Sequence, residues 1–232
     1  MPFSRHLIAE FAGTAFLLAA IVGSGIMGER LASGNVAIAL LANSIATGAA
    51  LLALILTFGA ISGAHFNPAV SFASAFQKNL RWSEVPFYVT VQICGAVLGV
   101  LMAHLMFGLP AFSVSQHARN GASQIFSEGV ATFGLLLVIA GCSRFQASAT
   151  PYAVAAYITS AYWFTSSTSF ANPAVTLARS LSDTFSGIRP SDIPGFLLGQ
   201  AAGAGSAILL SRWLFPTAVS DSDLSGDARI RN

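Results

Sequence analysis

Two asparagines are the residues of this chain best equipped to act on another molecule. Asn67 opens the stretch Asn67-Pro68-Ala69-Val70, and Asn172 opens the same four residue types, Asn172-Pro173-Ala174-Val175. An Asn-Pro pair is a helix start, with the Asn side-chain oxygen capping an orphan amide and Pro at the first helical position. The chemistry on offer is hydrogen bonding rather than bond making. A carboxamide presents N–H donors, and a helix N-terminus carries roughly half an elementary positive charge that opposes cations. Each copy follows an uncharged, apolar stretch and opens a segment too short to cross a membrane. The expectation is two half-helices at membrane depth with their positive ends aimed at one point, which is the design of a pore.

The remaining candidates are ionisable. Glu10 and Glu128 fall inside apolar runs, where a carboxylate is a functional candidate by default. They could relay protons, or they could accept hydrogen bonds from loop amides that would otherwise go unsatisfied. Their matched placement favours support. His65, two residues before Asn67, lines a vestibule or holds its loop. His6, His104 and His117 have no metal-ligand spacing to another His, Cys or carboxylate, so neither a metal nor a cofactor is expected. Cys94 and Cys142 read as small packing residues within spans. No span carries a His/Asp/Glu cluster, a Ser-His pair or a phosphate-cradling Gly loop, which argues against an enzyme.

The elements that must position these residues are helices in lipid. Of 232 residues, 54% are hydrophobic and 9% charged, against about a quarter charged in soluble domains. No Asp, Glu, Lys or Arg lies between Arg30 and Lys78, Glu84 and Arg119, Arg144 and Arg179, or Asp192 and Arg212. Such runs can cross a hydrocarbon core about 30 Å thick. Spans are expected near 7–27, 36–58, 84–107, 124–142, 149–166 and 193–214, with re-entrant segments near 62–78 and 167–181. Leu7–Met27 is too long for the core of a cleaved signal peptide. Trp82, Tyr88, Trp163 and Trp213 sit near span ends, as an interfacial belt does. A net charge of +2 gives no reason to expect nucleic acid.

The chain repeats itself. Leu7-Ile8-Ala9-Glu10-Phe11-Ala12-Gly13-Thr14 matches Ile125-Phe126-Ser127-Glu128-Gly129-Val130-Ala131-Thr132, and Ser83-Glu84-Val85-Pro86 matches Ser191-Asp192-Ile193-Pro194. Gln92 and Gln200 follow the two prolines at equal spacing and precede Gly95-Ala96 and Gly203-Ala204. Three spans per half require the second half to insert upside down, with the working site near the midplane. One channel domain, 1–215, is expected, with repeats at about 5–107 and 123–214 and a polar tail at 216–232. Irregular backbone before each Asn, including Gly63, Ala64, His65 and Phe170, is tolerable only where it lines a cavity or is buried in protein. Its carbonyls would act as acceptors for solute passing in file.

These motifs together, with Ser62-Gly63-Ala64-His65-Phe66-Asn67-Pro68-Ala69-Val70 and the paired Glu and Gln-x-x-Gly-Ala repeats, resemble the major intrinsic proteins, the aquaporins and glycerol facilitators. The resemblance covers about residues 5–214. It implies an all-α membrane protein of six transmembrane helices and two re-entrant half-helices. It also implies an N-terminus on the cytoplasmic side of the cell membrane and a homotetramer with one pore per subunit. Most members carry Arg directly after the second Asn-Pro-Ala, at an outer constriction. Here that position is Val175. Counting from the two asparagines places the other constriction positions at Thr47, Ser160 and Ser169, with Tyr162, Trp163 or Phe170 entering if the register differs. A filter of this kind is wider and less polar than a water-selective one. Arg179, one turn beyond Val175, reads as an arginine at the membrane surface, with reach into the pore as the alternative.

The expected function is a passive channel for water and small neutral solutes. Glycerol-like polyols come first. Urea and the neutral hydroxides of trivalent arsenic and antimony follow by analogy with family members that carry Val at this position. A water-selective aquaporin and an ion-coupled transporter are the rival readings.

Overall fold

The structure, a computed structural model, describes residues 1–215. The segment 216–232, which the sequence assigns to a polar tail, lies outside the described residues. Among the described residues the chain forms α1 (Phe3–Leu31), α2 (Val36–Ser62), α3 (Pro68–Phe76), α4 (Val85–Met106), α5 (Ala122–Phe145), α6 (Thr150–Phe164), α7 (Pro173–Arg179) and α8 (Ile193–Leu214). Single 3₁₀ turns precede α6 and α8. Five of the helices are long and apolar enough to cross a membrane: α1, α2, α4, α5 and α8 with its leading turn. The sixth span is shorter. The 15 residues of α6 rise only about 22 Å. The half-helices α3 and α7 are the short segments that open at Asn67 and Asn172.

Burial is inverted relative to a water-soluble protein. Glu10, Thr14, Ser71, Gln92, Glu128, Thr132 and Gln200 are buried, while Ile8, Phe16, Phe126, Leu198 and Leu209 face outward. Lipid can solvate these apolar side chains but not a polar group, so the polar groups turn inward and pair with one another. Trp82, Trp163 and Trp213 are exposed as a belt requires. Tyr88 departs from that expectation. It is buried, and its hydroxyl donates to the Ser62 carbonyl at 3.0 Å. Cys94 also departs, lying exposed on the outer face rather than in the core.

Each half closes on one tight helix pair, α1 with α4 and α5 with α8. Small residues permit the approach. A side chain at Gly95 would run into the Phe11 carbonyl, and one at Gly203 into the Gly129 carbonyl. The Gly-Ala pairs of the repeat are therefore contact points between backbones. Each brings its neighbouring Gln within reach of the Glu on the partner helix.

Candidate functional site

The site begins with two carboxylates that hold two loops. Glu10 Oε1 accepts from Ser62 Oγ (2.6 Å) and from the His65 amide (2.9 Å), and Oε2 accepts from the Phe66 amide (2.7 Å) and Gln92 Nε2 (2.8 Å). Glu128 repeats the arrangement. Its Oε1 accepts from the Phe170 amide (2.9 Å), and its Oε2 accepts from the Ala171 amide (2.9 Å) and Gln200 Nε2 (2.6 Å). Both side chains are fully buried and neither lines the cavity. The same two glutamines steady the half-helices, Gln92 through Ser71 Oγ and Gln200 through Thr176 Oγ1, each at 2.9 Å. The sequence displays the Gln repeat without its purpose, because the purpose needs the Gly contacts that bring α4 to α1 and α8 to α5.

The loops so gripped are strained alike. Residues four, three and one before each Asn have positive φ: Gly63, Ala64 and Phe66 in the first copy, Thr168, Ser169 and Ala171 in the second. Five of these six are not glycine, a conformation that costs of order 1 kcal/mol or more per residue. The carboxylates meet that cost by fixing the two amides just ahead of each Asn. Signals for this strain are faint in the sequence, since only Gly63 is of the type that favours it.

At the junction, each Asn does two tasks. Asn67 Oδ1 caps α3 at the Ala69 amide (2.9 Å), and Asn172 Oδ1 caps α7 at the Ala174 amide (3.0 Å) and the Val175 amide (3.3 Å). The side-chain nitrogens cross to the opposite half. Asn67 Nδ2 donates to the Ala171 carbonyl and Asn172 Nδ2 to the Phe66 carbonyl, both at 2.8 Å. One hydrogen of each is committed to the protein, and Asn67, which lines the cavity, keeps its second for a solute.

A cavity of about 520 Å³ runs past this junction. One end is bounded by His6, Ser74, Gln77, Asn79 and Tyr88, and Gly63, Ala64, His65 and Asn67 line its wall. Asn172 does not line it, and Pro68, Ala69, Pro173 and Ala174 form the half-helix starts behind the wall. His65 is tied to the frame, its Nδ1 lying 3.0 Å from Ser71 Oγ.

The other end gathers Thr47, Tyr162, Ser169, Phe170, Val175 and Arg179. Ser160 is not among them. Its hydroxyl is on the exposed side of α6 and donates to the Tyr157 carbonyl at 2.8 Å. A shift of two residues turns a helical side chain by about 200°. Tyr162 therefore holds the lumen position, its hydroxyl 3.1 Å from Thr47 Oγ1. Trp163 points away, with Nε1 donating to Ser44 Oγ at 3.1 Å. Arg179 also departs from the expectation of a surface residue. It is 2% exposed, donates from Nε to the Ser186 carbonyl, and lays its guanidinium 3.4 Å from the centroid of the Phe170 ring.

A second buried arginine, Arg119, is one that sequence reasoning missed. It lies in the connection between α4 and α5, and its side chain reaches the Gly187, Ser167 and Phe185 carbonyls and Thr168 Oγ1. Its guanidinium lies 5.1 Å from the centroid of the same Phe170 ring. Burial lowers its pKa to about 10, so it stays charged at neutral pH. Among the described residues neither Arg119 nor Arg179 forms a salt bridge with a carboxylate. His104 buttresses the same outer loops, with Nδ1 2.7 Å from the Pro110 carbonyl and Nε2 2.8 Å from Ser182 Oγ.

Six spans, two half-helices meeting at exchanged asparagines and one cavity along the junction define a membrane channel of the duplicated, inverted kind. Residues 1–150 match the family model described as major intrinsic protein. The aquaglyceroporin AqpS of Rhizobium meliloti (strain 1021) is 52% identical over 215 residues, covering 93% of this chain and 92% of that protein. Aquaporin NIP1-1 of Oryza sativa subsp. japonica is 36% identical over 143 residues, 61% of this chain and 49% of that one. The crystal structure of the aquaglyceroporin from Plasmodium falciparum superposes with a TM-score of 0.71 at 22% identity, covering 96% of this chain and 99% of that one. The chain belongs to the major intrinsic protein family.

Proposed function

We propose that this chain is a passive pore for water and small neutral hydroxylated solutes, glycerol-like polyols foremost. Urea and the trivalent arsenic and antimony hydroxides extend the same class. The observation that carries the reading is the pairing of the two carboxylates with loop amides, away from the lumen. An ion-coupled carrier needs a titratable group that meets its cargo near the midplane, and Glu10 and Glu128 are instead spent on backbone and glutamine donors. What faces cargo at the junction is a neutral amide between two helix N-termini, a setting that favours neutral solutes over cations. The similarity to an aquaglyceroporin along nearly the whole chain supports the polyol class.

The site on this reading consists of Asn67 and Asn172 at the midplane and Thr47, Tyr162, Ser169 and Val175 at the outer constriction. Gly63, Ala64, His65 and Phe170 supply loop walls, and Glu10 and Glu128 support them. Residues 1–215 form one domain, inserted in the cell membrane with the N-terminus cytoplasmic and assembled as a homotetramer. The chain carries out no chemical conversion.

Stopped-flow swelling of proteoliposomes tests the reading with water, glycerol, urea and arsenite, each with and without a proton or sodium gradient. Non-saturating, gradient-independent flux of water and glycerol is expected. Flux that saturates at low concentration and follows an ion gradient would overturn the pore, and water flux with glycerol excluded would overturn the polyol class.

A further inference from the structure

The half-helices present the same register to the lumen but not the same chemistry. In α3 the lumen positions three and seven residues after Asn67 are Val70 and Ser74, and in α7 the matching positions after Asn172 are Val175 and Arg179. All four line the cavity. Residues four apart share a helix face, so the face that carries Val175 also carries Arg179, one turn further out. The inner half of the pathway thus has a hydroxyl where the outer half has a guanidinium.

Three observations give that guanidinium a ligand-facing character. It is almost wholly buried, yet it has no carboxylate partner among the described residues. The hydrogen bond found for it there uses Nε, to the Ser186 carbonyl, while its face is covered by Phe170. Its terminal nitrogens are therefore the donors left over, and a buried charged donor without an acceptor is costly unless something in the cavity accepts from it. Ser169, whose Oγ is buried without a hydrogen-bond partner, is among the residues around the same cavity. Across the lumen, the Thr47 and Tyr162 hydroxyls share one hydrogen bond, which leaves one of their two hydrogens free.

We propose that Arg179 is the specificity-determining cation of the outer constriction, donating from its terminal nitrogens to an acceptor oxygen of a hydroxylated solute. The polar anchor of the constriction lies one helical turn beyond Val175, and the Val175 side chain offers an apolar wall to the carbon side of the solute. Arg119 is a positioning residue in this arrangement. It holds the Ser167, Phe185 and Gly187 carbonyls and so fixes the loops on either side of Phe170. The inference rests on the pore reading above.

The test uses full-length protein in proteoliposomes, with Cys94 and Cys142 replaced by Ser so that Arg179→Cys carries the sole thiol. Wild-type vesicles come first: if they pass no more water or glycerol than protein-free vesicles, the pore reading itself fails. Given wild-type flux, Arg179→Gln is expected to lower the glycerol-to-water permeability ratio about tenfold, the scale of one charge-assisted hydrogen bond. Arg179→Cys should react with a cationic methanethiosulfonate added to the folded channel and regain part of the ratio, whereas a neutral reagent of similar size should not restore it. An unchanged ratio in Arg179→Gln, or a thiol that stays unreactive, overturns the assignment. Should these variants fail to fold, phenylglyoxal labelling of the wild type, read by mass spectrometry, decides the matter. Slower labelling of Arg179 in high glycerol supports the site, and labelling indifferent to glycerol overturns it.

Discussion

A carboxylate buried in a membrane protein is commonly read as a proton carrier, and here the two candidates are brackets. Glu128 accepts from the Phe170 and Ala171 amides and from Gln200. Replacing it by Ala leaves those buried donors without an acceptor. A loss of about 3 kcal/mol or more is expected, seen as a lower unfolding midpoint in detergent. Glu128→Gln keeps one acceptor oxygen and should fall between. Val175→Arg makes a separate prediction: a guanidinium one turn inside Arg179 should reduce glycerol flux more than water flux in a swelling assay. Equal loss of both would place the constriction elsewhere. His117 carries a pH prediction. Burial, and then Arg119 and Arg179, hold its imidazole below the usual value, with Asp183 opposing. Its pKa is thus lower folded than unfolded, so its contribution to stability is complete above the ordinary imidazole value, near pH 6.5. That contribution shrinks as pH falls below it, because the unfolded chain takes the proton first. A midpoint measured down to about pH 5 should decline less in His117→Gln than in the wild type. At this scale the asparagines and glutamates were legible because they occur in pairs at matched spacing. Arg119 was not, because it is single, lies in a polar connection, and owes its burial to carbonyls 48 to 68 residues away.

At the level of elements, register decides what the lumen sees. Ser160 and Tyr162 differ by two residues on α6, which is enough to exchange a lipid-side hydroxyl for a lumen-side phenol. The order of the spans followed from hydropathy, but rotation about a helix axis did not, since α6 has apolar residues on every side. The span expected at 149–166 is shorter at both ends, because Ala149 closes a 3₁₀ turn and the helix stops at Phe164. Helix contacts were more legible, because Gly-Ala recurs beside each Gln. Gly95 packs on the Phe11 carbonyl and Gly203 on the Gly129 carbonyl. A leucine at either position must push two backbones apart, beyond the roughly 1–3 kcal/mol typical of core overpacking. Gly95→Leu and Gly203→Leu should therefore give little monodisperse protein by size-exclusion chromatography, whereas Gly205→Leu, with nothing near its Cβ position, should purify as the wild type does.

For the whole molecule, the inversion of burial and the exclusion of charge follow from one cause. Lipid leaves every polar group to be satisfied by protein, so the polar residues collect along the inner seam and the pathway forms there. The positive ends of α3 and α7 meet on that seam, and a proton gradient across proteoliposomes should not dissipate faster through the wild-type pore than through an empty bilayer, as read by an internal pH dye. The seam also joins the halves. Asn67 supplies its amide to Ala171, and Asn172 supplies its amide to Phe66, so neither half completes its own central turn. Two copies of a single half, threaded in opposite senses, would satisfy the same two bonds. Joining them in one chain replaces a bimolecular encounter by an intramolecular one at high effective concentration. The exchange thus reads as the fossil of a two-chain assembly, and it frees the two halves to diverge. Ser74 and Arg179 are the outcome of that freedom, a symmetric scaffold with an entrance and an exit that differ.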